Sequence, residues 1–133
     1  MAPYNIVLAD DHIWVRQGIK KIIQQDGDMR VVAEAGDGLE LMEILQKLTP
    51  HLVILDISMP RLNGLVAAAK IKQLYPEIKV LILSMHRSKE YLHQALAVGV
   101  NGYLLKEDAD AALFAAIETV RQGQTFVSPL LEK

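Results

Sequence analysis

Residues 52–56 read Leu52-Val53-Ile54-Leu55-Asp56, four consecutive aliphatic side chains followed by one carboxylate. A half-exposed strand alternates apolar and polar residues, whereas a continuous aliphatic run is typical of a strand that helices cover on both faces. Such strands occur in the parallel sheets of α/β domains. The run therefore predicts a central parallel strand with a charged group at its carboxyl end.

Similar short runs occur on both sides of this segment and begin roughly 25 residues apart, the length of one strand, one helix and two turns. Because parallel strands need a crossover, and the crossover is usually a helix, this spacing predicts five βα units. The predicted strands are Asn5–Ala9, Arg30–Ala35, Leu52–Leu55, Lys79–Leu83 and Gly102–Leu105.

Helical patterns fill the intervals between the predicted strands. The third helix is expected from about Gly64 to Tyr75, with Asn63 as its cap and Pro76 following it. In the last helix the apolar residues recur at the spacing of one helical face, as in Leu113, Ala116, Ile117 and Val120. The fold class is therefore α/β, a (βα)5 doubly wound parallel sheet.

Composition limits the function classes further. The chain has 133 residues, the length of one domain, and 14 Lys+Arg against 16 Asp+Glu, so it lacks the basic excess of a protein that coats nucleic acid. It has no Cys, which excludes disulfides and thiolate metal sites. We find neither a signal peptide nor an apolar run of about 20 residues, so we expect a cytoplasmic protein without a membrane partner.

Polar residues follow four of the five predicted strands. Asp10 and Asp11 follow the first, Asp56 the third, Ser84 the fourth and Lys106 the fifth. In open α/β sheets, ligands bind outside the carboxyl ends of the strands. We therefore expect three carboxylates, one hydroxyl and one ammonium to converge on one edge of the sheet.

This combination predicts a site for phosphoryl transfer. Two like charges about 4 Å apart repel by roughly 4 kcal/mol at an effective dielectric constant of 20, so the carboxylates need a cation beside them. Oxygen ligands suit Mg2+, and Lys106 adds a positive charge for a phosphoryl group. Asp56 is the natural acceptor because it stands alone on the central strand. Asp11 has a second interpretation, as the cap of the first helix.

Four motifs surround the polar strand ends. They are Val7-Leu8-Ala9-Asp10-Asp11-His12, residues 52–60 with Gly64, Ile82-Leu83-Ser84, and Gly99 with Gly102-Tyr103-Leu104-Leu105-Lys106. Together they resemble the receiver domain of two-component response regulators, and the resemblance spans residues 4 to about 123. It implies a flavodoxin-like sheet of strand order 2-1-3-4-5. Because Lys106 is not followed by Pro, the chain looks most similar to the NarL/LuxR-type branch.

The resemblance implies a role for each of these positions. Asp56 is expected to accept a phosphoryl group from a histidine kinase, and Lys106 to pair with it. Ser84 is expected to move to the phosphoryl group and Tyr103 to rotate inward behind it, which switches the strand 4–helix 4–strand 5 face. A half-buried Tyr103 with a solvated hydroxyl is the alternative. The residues expected to hold Mg2+ are Asp10, Asp11, Asp56 and the backbone carbonyl of Ser58.

The resemblance also implies a division of the chain. Residues 1–123 form the receiver, and residues 124–133 resemble the start of a linker to a helix-turn-helix output domain that these residues do not contain. We therefore expect no DNA binding by this chain itself, a possible homodimer on activation, and a phosphoacceptor switch rather than an enzyme. A stand-alone receiver is the alternative.

Two other function classes fit parts of the pattern. A phosphatase of the haloacid dehalogenase type also uses an aspartate at a strand end, but it needs a second carboxylate two residues later. That position is Ser58 after Asp56 and His12 after Asp10. A pseudo-receiver that acts only as a binding module is less compatible with the complete set of polar residues at the strand ends.

The remaining signals are weaker. His12 and His86 follow strands and could approach the site, but the four histidines are too dispersed for us to expect a histidine metal site. Trp14 is expected to pack partly buried near this edge, with contact to a kinase as the alternative. The Lys106–Glu107 bond, where many receivers have a cis proline, could be trans or strained.

Overall fold

The computed structural model describes residues 3–131, which form a single parallel sheet of order β2-β1-β3-β4-β5-β6 with helices between the strands. The first five strands have the expected order, so the flavodoxin-like α/β fold is confirmed. The strands are β1 Tyr4–Ala9, β2 Met29–Ala35, β3 Leu52–Asp56, β4 Lys79–Ser84, β5 Gly102–Leu105 and β6 Phe126–Val127. The α-helices are α1 Ile13–Gln24, α2 Gly38–Leu45, α3 Gly64–Leu74, α4 Lys89–Ala97 and α5 Ala109–Arg121.

The central strand β3 is buried on both faces, as its aliphatic run predicts. Val53 and Leu55 pack into a core with residues of α2, α3 and α4. Leu52 and Ile54 point to the opposite face and pack with residues of α1 and α5. The sheet is thus enclosed by two helical layers, and the ends of its strands are where polar side chains reach the surface.

Three helices begin at polar side chains that accept a hydrogen bond from the first turn. Asp37 caps α2, Asn63 caps α3 and Ser88 caps α4. The first helix differs, because its cap position is His12, whose side chain makes no capping hydrogen bond. The interpretation of Asp11 as the cap is therefore wrong, and its carboxylate is available to the edge of the sheet.

The start of α3 lies against the loop that follows β3. The Gly64 backbone N–H donates to the Ile57 carbonyl oxygen at 2.8 Å. A Cβ atom on Gly64 would lie 2.0 Å from the Asp56 carbonyl oxygen, which is far closer than a van der Waals contact permits. Only glycine lets the helix approach this closely, so Gly64 fixes the position of the strand end that carries Asp56.

The segment after α5 packs onto the domain. Phe126–Val127 pair in parallel with β5, and the buried Ser128 hydroxyl accepts a hydrogen bond from the Leu105 N–H at 2.8 Å. Leu131 is buried in the same core as β3. A two-residue strand is too short to produce a hydrophobic pattern, so the sequence did not indicate it. The linker role of residues 124–133 stays a prediction, and residues 132–133 lie outside the described part.

Trp14 departs from expectation. Its side chain is 81 % exposed, so the prediction that it packs partly buried is wrong. The residue lies in the first turn of α1, and the inner face of that helix is formed by other side chains such as Ile19 and Ile23. Within residues 3–131, no helix has the length and apolar character needed to cross a bilayer.

The close approach at Gly64 generates a test. We expect Gly64→Ala to lower the free energy of unfolding by about 2–3 kcal/mol, because the methyl group forces α3 away from the β3 loop. Denaturant unfolding measures this change. Gly18→Ala is the matched control, since a Cβ there meets nothing within 4 Å and alanine favours an exposed helix position. Equal stability of the Gly64→Ala variant and the wild type would show that the contact is not restrictive.

Candidate functional site

The predicted polar residues come together at the carboxyl edge of the sheet because the strands that carry them are in register. Ala9 of β1 lies opposite Leu55 of β3, so Asp10 and Asp56 follow at the same level. Ser84 of β4 lies opposite Leu105 of β5, which places Lys106 one residue further along. Four separate segments of the chain therefore supply one cluster.

Lys106 connects the two buried carboxylates of this cluster. Its Nζ lies 2.9 Å from Asp10 Oδ2 and 3.3 Å from Asp56 Oδ2. Asp10 and Asp56 are 4 % and 3 % exposed, so neither carboxylate can rely on bulk water for solvation. One ammonium for two carboxylates leaves an excess negative charge in the protein, and Asp11 adds another at the surface.

This charge imbalance shifts the pKa values of Asp56 and Lys106. Burial, followed by the charge of Asp10, raises the pKa of Asp56, although the Lys106 ammonium opposes this rise. Burial alone lowers the pKa of Lys106, but its hydrogen bonds and charge interactions with Asp10 and Asp56 outweigh burial and raise that pKa. Lys106 is therefore held as an ammonium, whereas ionised Asp56 is poorly stabilised.

The loop after β3 supplies a further donor to Asp56. The Ser58 N–H donates to Asp56 Oδ1 at 3.3 Å, opposite the oxygen that faces Lys106. The Ser58 side chain is exposed, and its Oγ lies 3.1 Å from His86 Nε2. Ser58 thus connects the loop after β3 to the loop after β4.

Ser84 and Tyr103 both form hydrogen bonds with the backbone of His86. Ser84 is fully buried, and its Oγ accepts from the His86 N–H at 2.9 Å. Tyr103 is also fully buried, and its hydroxyl donates to the His86 carbonyl oxygen at 3.1 Å. Burial raises the pKa of Tyr103. The alternative of a half-buried Tyr103 with a solvated hydroxyl is wrong, because the ring already points inward.

His12 also belongs to the cluster. Its Nδ1 lies 3.1 Å from Asp11 Oδ1 and 3.2 Å from Asp10 Oδ1, and its backbone N–H donates to Asp10 Oδ1 at 2.8 Å. One ligand atom from each of Asp10, Asp11, His12 and Asp56 lies within 4.8 Å of the others. The sequence indicated that His12 could approach the site but did not predict its place among the carboxylates, although its position directly after the acidic pair was the available signal.

The donor set fits a divalent cation. Asp10 Oδ2 is buried, and the Lys106 ammonium 2.9 Å from it is shared with Asp56. Three carboxylates offer oxygen ligands of the type that Mg2+ prefers. A cation here would relieve the repulsion that a single ammonium cannot neutralise.

The segment after Lys106 is ordered without a proline. Lys106–Asp108 form one turn of 3-10 helix that leads into α5, and the Lys106–Glu107 bond is trans, like the other peptide bonds described in residues 3–131. The Glu107 carboxylate accepts two hydrogen bonds from Arg87, at 2.7 and 2.6 Å. This exposed ion pair connects the loop after β4 to the Lys106 turn.

Comparison with known proteins agrees with this geometry. The sequence model of the response regulator receiver domain family matches residues 6–118 of this chain. The chain belongs to the response regulator receiver family. The NarL/LuxR-type branch is confirmed as well, by relatives of that type. A phosphatase of the haloacid dehalogenase type is thereby excluded.

The relatives include the transcriptional regulatory protein DegU of Brevibacillus brevis, 42 % identical over 126 residues that cover 94 % of this chain and 53 % of DegU. The oxygen regulatory protein NreC of Staphylococcus epidermidis is 46 % identical over 124 residues, which cover 92 % of this chain and 57 % of NreC. The chain therefore spans about half the length of these relatives.

Solved structures match over nearly the whole chain. A LuxR-family two-component response regulator from Aurantimonas sp. SI85-9A1 has a TM-score of 0.93 at 32 % identity and covers 98 % of this chain and 94 % of its own. The isolated REC domain of RcsB from Salmonella enterica serovar Typhimurium, with the phosphomimetic BeF3-, has a TM-score of 0.91 at 30 % identity. The match to this REC domain covers 98 % of this chain and 96 % of the REC domain chain.

The raised pKa of Asp56 predicts a pH-dependent gain in stability for Asp56→Asn. Folded Asp56 holds its proton to a higher pH than the unfolded residue, so its contribution to stability is lost as the pH rises through the folded pKa. We expect Asp56→Asn to be more stable than the wild type at pH 7, with a gain that shrinks towards pH 4. Denaturant unfolding at several pH values, without divalent cations, measures this.

Asp37→Asn is the control for that experiment. The Glu40 backbone N–H, more than any other group, lowers the pKa of Asp37, so its ionised form is favoured in the folded state. Removing this charge should produce no gain at pH 7. The electrostatic account of the site is wrong if both variants change stability in the same direction, or if the Asp56→Asn gain persists undiminished in acid.

Proposed function

We propose that Asp56 accepts a phosphoryl group from the phosphohistidine of a histidine kinase in a magnesium-dependent reaction. The observation that carries this proposal is the buried Asp56 carboxylate at the end of β3, with Lys106 Nζ at 3.3 Å from one oxygen and the Ser58 N–H at 3.3 Å from the other. Asp10, Asp11, Asp56 and the Ser58 backbone carbonyl would hold the Mg2+.

The transfer is a displacement at phosphorus. An Asp56 carboxylate oxygen forms the new P–O bond while the P–N bond to the donor imidazole breaks, and the bonding electrons return to that nitrogen. When bound, Mg2+ neutralises charge on the carboxylates and on the phosphoryl oxygens. Lys106 supplies a fixed positive charge beside the acceptor, and the burial of Asp56 limits access of water to it.

Phosphorylation would change the contacts of Ser84. The modification adds negative charge and strong acceptor oxygens at Asp56. To donate to one of these oxygens, Ser84 Oγ must turn away from the His86 N–H that it now binds. The carbonyl of the same His86 accepts from Tyr103, so a change at Ser84 reaches Tyr103 and the start of α4. This supports a switch in the β4–α4–β5 face.

The output would be transcriptional. DegU carries the name transcriptional regulatory protein, and RcsB is described as dimers bound to DNA. For this chain we propose control of transcription through a helix-turn-helix domain outside residues 1–133, with homodimer formation on activation and a cytoplasmic location. The exposed Trp14 is available for contact with the kinase. A stand-alone receiver is the second possibility.

Labelling with acetyl phosphate tests the acceptor. With Mg2+ present, we expect one phosphoryl group per chain, located at Asp56 by mass spectrometry after reductive trapping, and at least a hundredfold loss of labelling in Asp56→Asn. Removal of Mg2+ by a chelator should have the same effect, because the carboxylates and the phosphoryl donor then repel each other.

Asp110→Asn is the matched control, since this aspartate is exposed on α5 and is not among the residues whose ligand atoms converge near Asp56. It should label at the wild-type rate. Undiminished labelling of Asp56→Asn at the same peptide would refute the assignment. Lack of labelling in the wild type, together with no binding of beryllofluoride, would instead favour a pseudo-receiver.

A further inference from the structure

We propose that His12 Nδ1 is an additional ligand of the cation site, so that this site binds first-row transition ions through nitrogen as well as oxygen. The inference rests on the proposed magnesium site. The imidazole of His12 adds a nitrogen ligand, whereas the three carboxylates and the backbone carbonyl offer only oxygen.

The geometry of His12 carries the proposal. In an octahedral site with bonds of about 2.1 Å, neighbouring ligand atoms lie about 3.0 Å apart and opposite ones about 4.2 Å apart. His12 Nδ1 lies 3.1 Å from Asp11 Oδ1 and 3.2 Å from Asp10 Oδ1. The Asp56 oxygen completes a group of four atoms that all lie within 4.8 Å of one another. The atoms of His12, Asp10 and Asp11 are therefore spaced as neighbouring ligands of one ion, and the Asp56 oxygen needs only a small inward shift to join them.

The backbone holds His12 in this position independently of its side chain. Its N–H donates to Asp10 Oδ1 at 2.8 Å, and its carbonyl oxygen accepts from the Arg16 N–H at 3.1 Å, at the start of α1. The imidazole makes no capping bond, and its only hydrogen bonds or ion pairs within residues 3–131 are with Asp10 and Asp11. A substitution at His12 can therefore remove the nitrogen without removing a structural contact elsewhere.

The chemistry of the ligand predicts which ions respond. Mg2+ prefers oxygen ligands and keeps several of its waters, so it gains little from an imidazole. Imidazole suits Ni2+, Cu2+ and Zn2+, and affinity for such sites rises from Mn2+ to Cu2+. His12 should therefore raise the affinity for Ni2+ and Cu2+ while it leaves the affinity for Mg2+ nearly unchanged.

Metal titration of the full chain by isothermal calorimetry tests the inference. We expect His12→Ala to weaken Ni2+ binding at least tenfold and to change Mg2+ binding by less than twofold. His93→Ala is the matched control, because His93 is exposed on α4, and it should leave both affinities unchanged. Equal changes for the two ions in His12→Ala, or no change for either, would overturn the inference.

Pulsed electron paramagnetic resonance of the Cu2+-loaded protein identifies the nitrogen directly. Coupling to one imidazole should be present in the wild type and in His86→Ala but absent in His12→Ala. Coupling that survives in His12→Ala would assign the ligand elsewhere and overturn the inference. In that case, Mg2+-dependent labelling of Asp56 in the wild type would leave the proposed function intact. Failure of the wild type to bind Mg2+ would overturn both the inference and the proposed function.

Discussion

Two buried carboxylates share one ammonium at the carboxyl edge of the sheet, and the rest of the site follows from this imbalance. Lys106 Nζ contacts Asp10 and Asp56, but it cannot neutralise both of them. The excess negative charge persists because the parallel sheet fixes the strand ends and Gly64 lets α3 press against the β3 loop. A site of this kind is stabilised by a divalent cation, which also makes it receptive to a phosphoryl group.

The close packing of the strand ends also explains how a change at Asp56 can reach the loop after β4. Three residues near Asp56 are hydrogen-bonded to His86: its N–H donates to Ser84, its carbonyl accepts from Tyr103 and its ring contacts Ser58. A new acceptor at Asp56 competes for Ser84. The proposed modification of Asp56 would thus give Ser84 a second set of partners, which is what a switch requires.

The sequence predicted the features that depend on a long pattern or on a strand end. The aliphatic run before Asp56 indicated a doubly covered strand, and the polar residues after four strands converged as expected. It did not predict β6, which is too short for a pattern, or the exposure of Trp14, which depends on packing of α1. It indicated that His12 could approach the site, but not that the imidazole would lie between Asp10 and Asp11, because the dispersed histidines were judged as a set.

We propose that the cluster around Asp56 holds a phosphoryl group and a cation together. A crystal structure of the chain with Mg2+ and beryllofluoride tests this most directly. We predict beryllium bonded to an Asp56 carboxylate oxygen, Lys106 and Ser84 donating to its fluorides, and Mg2+ on Asp10 and Asp11. Beryllofluoride bound elsewhere, or Asp56 unmodified with Lys106 still between the two carboxylates, would contradict the account.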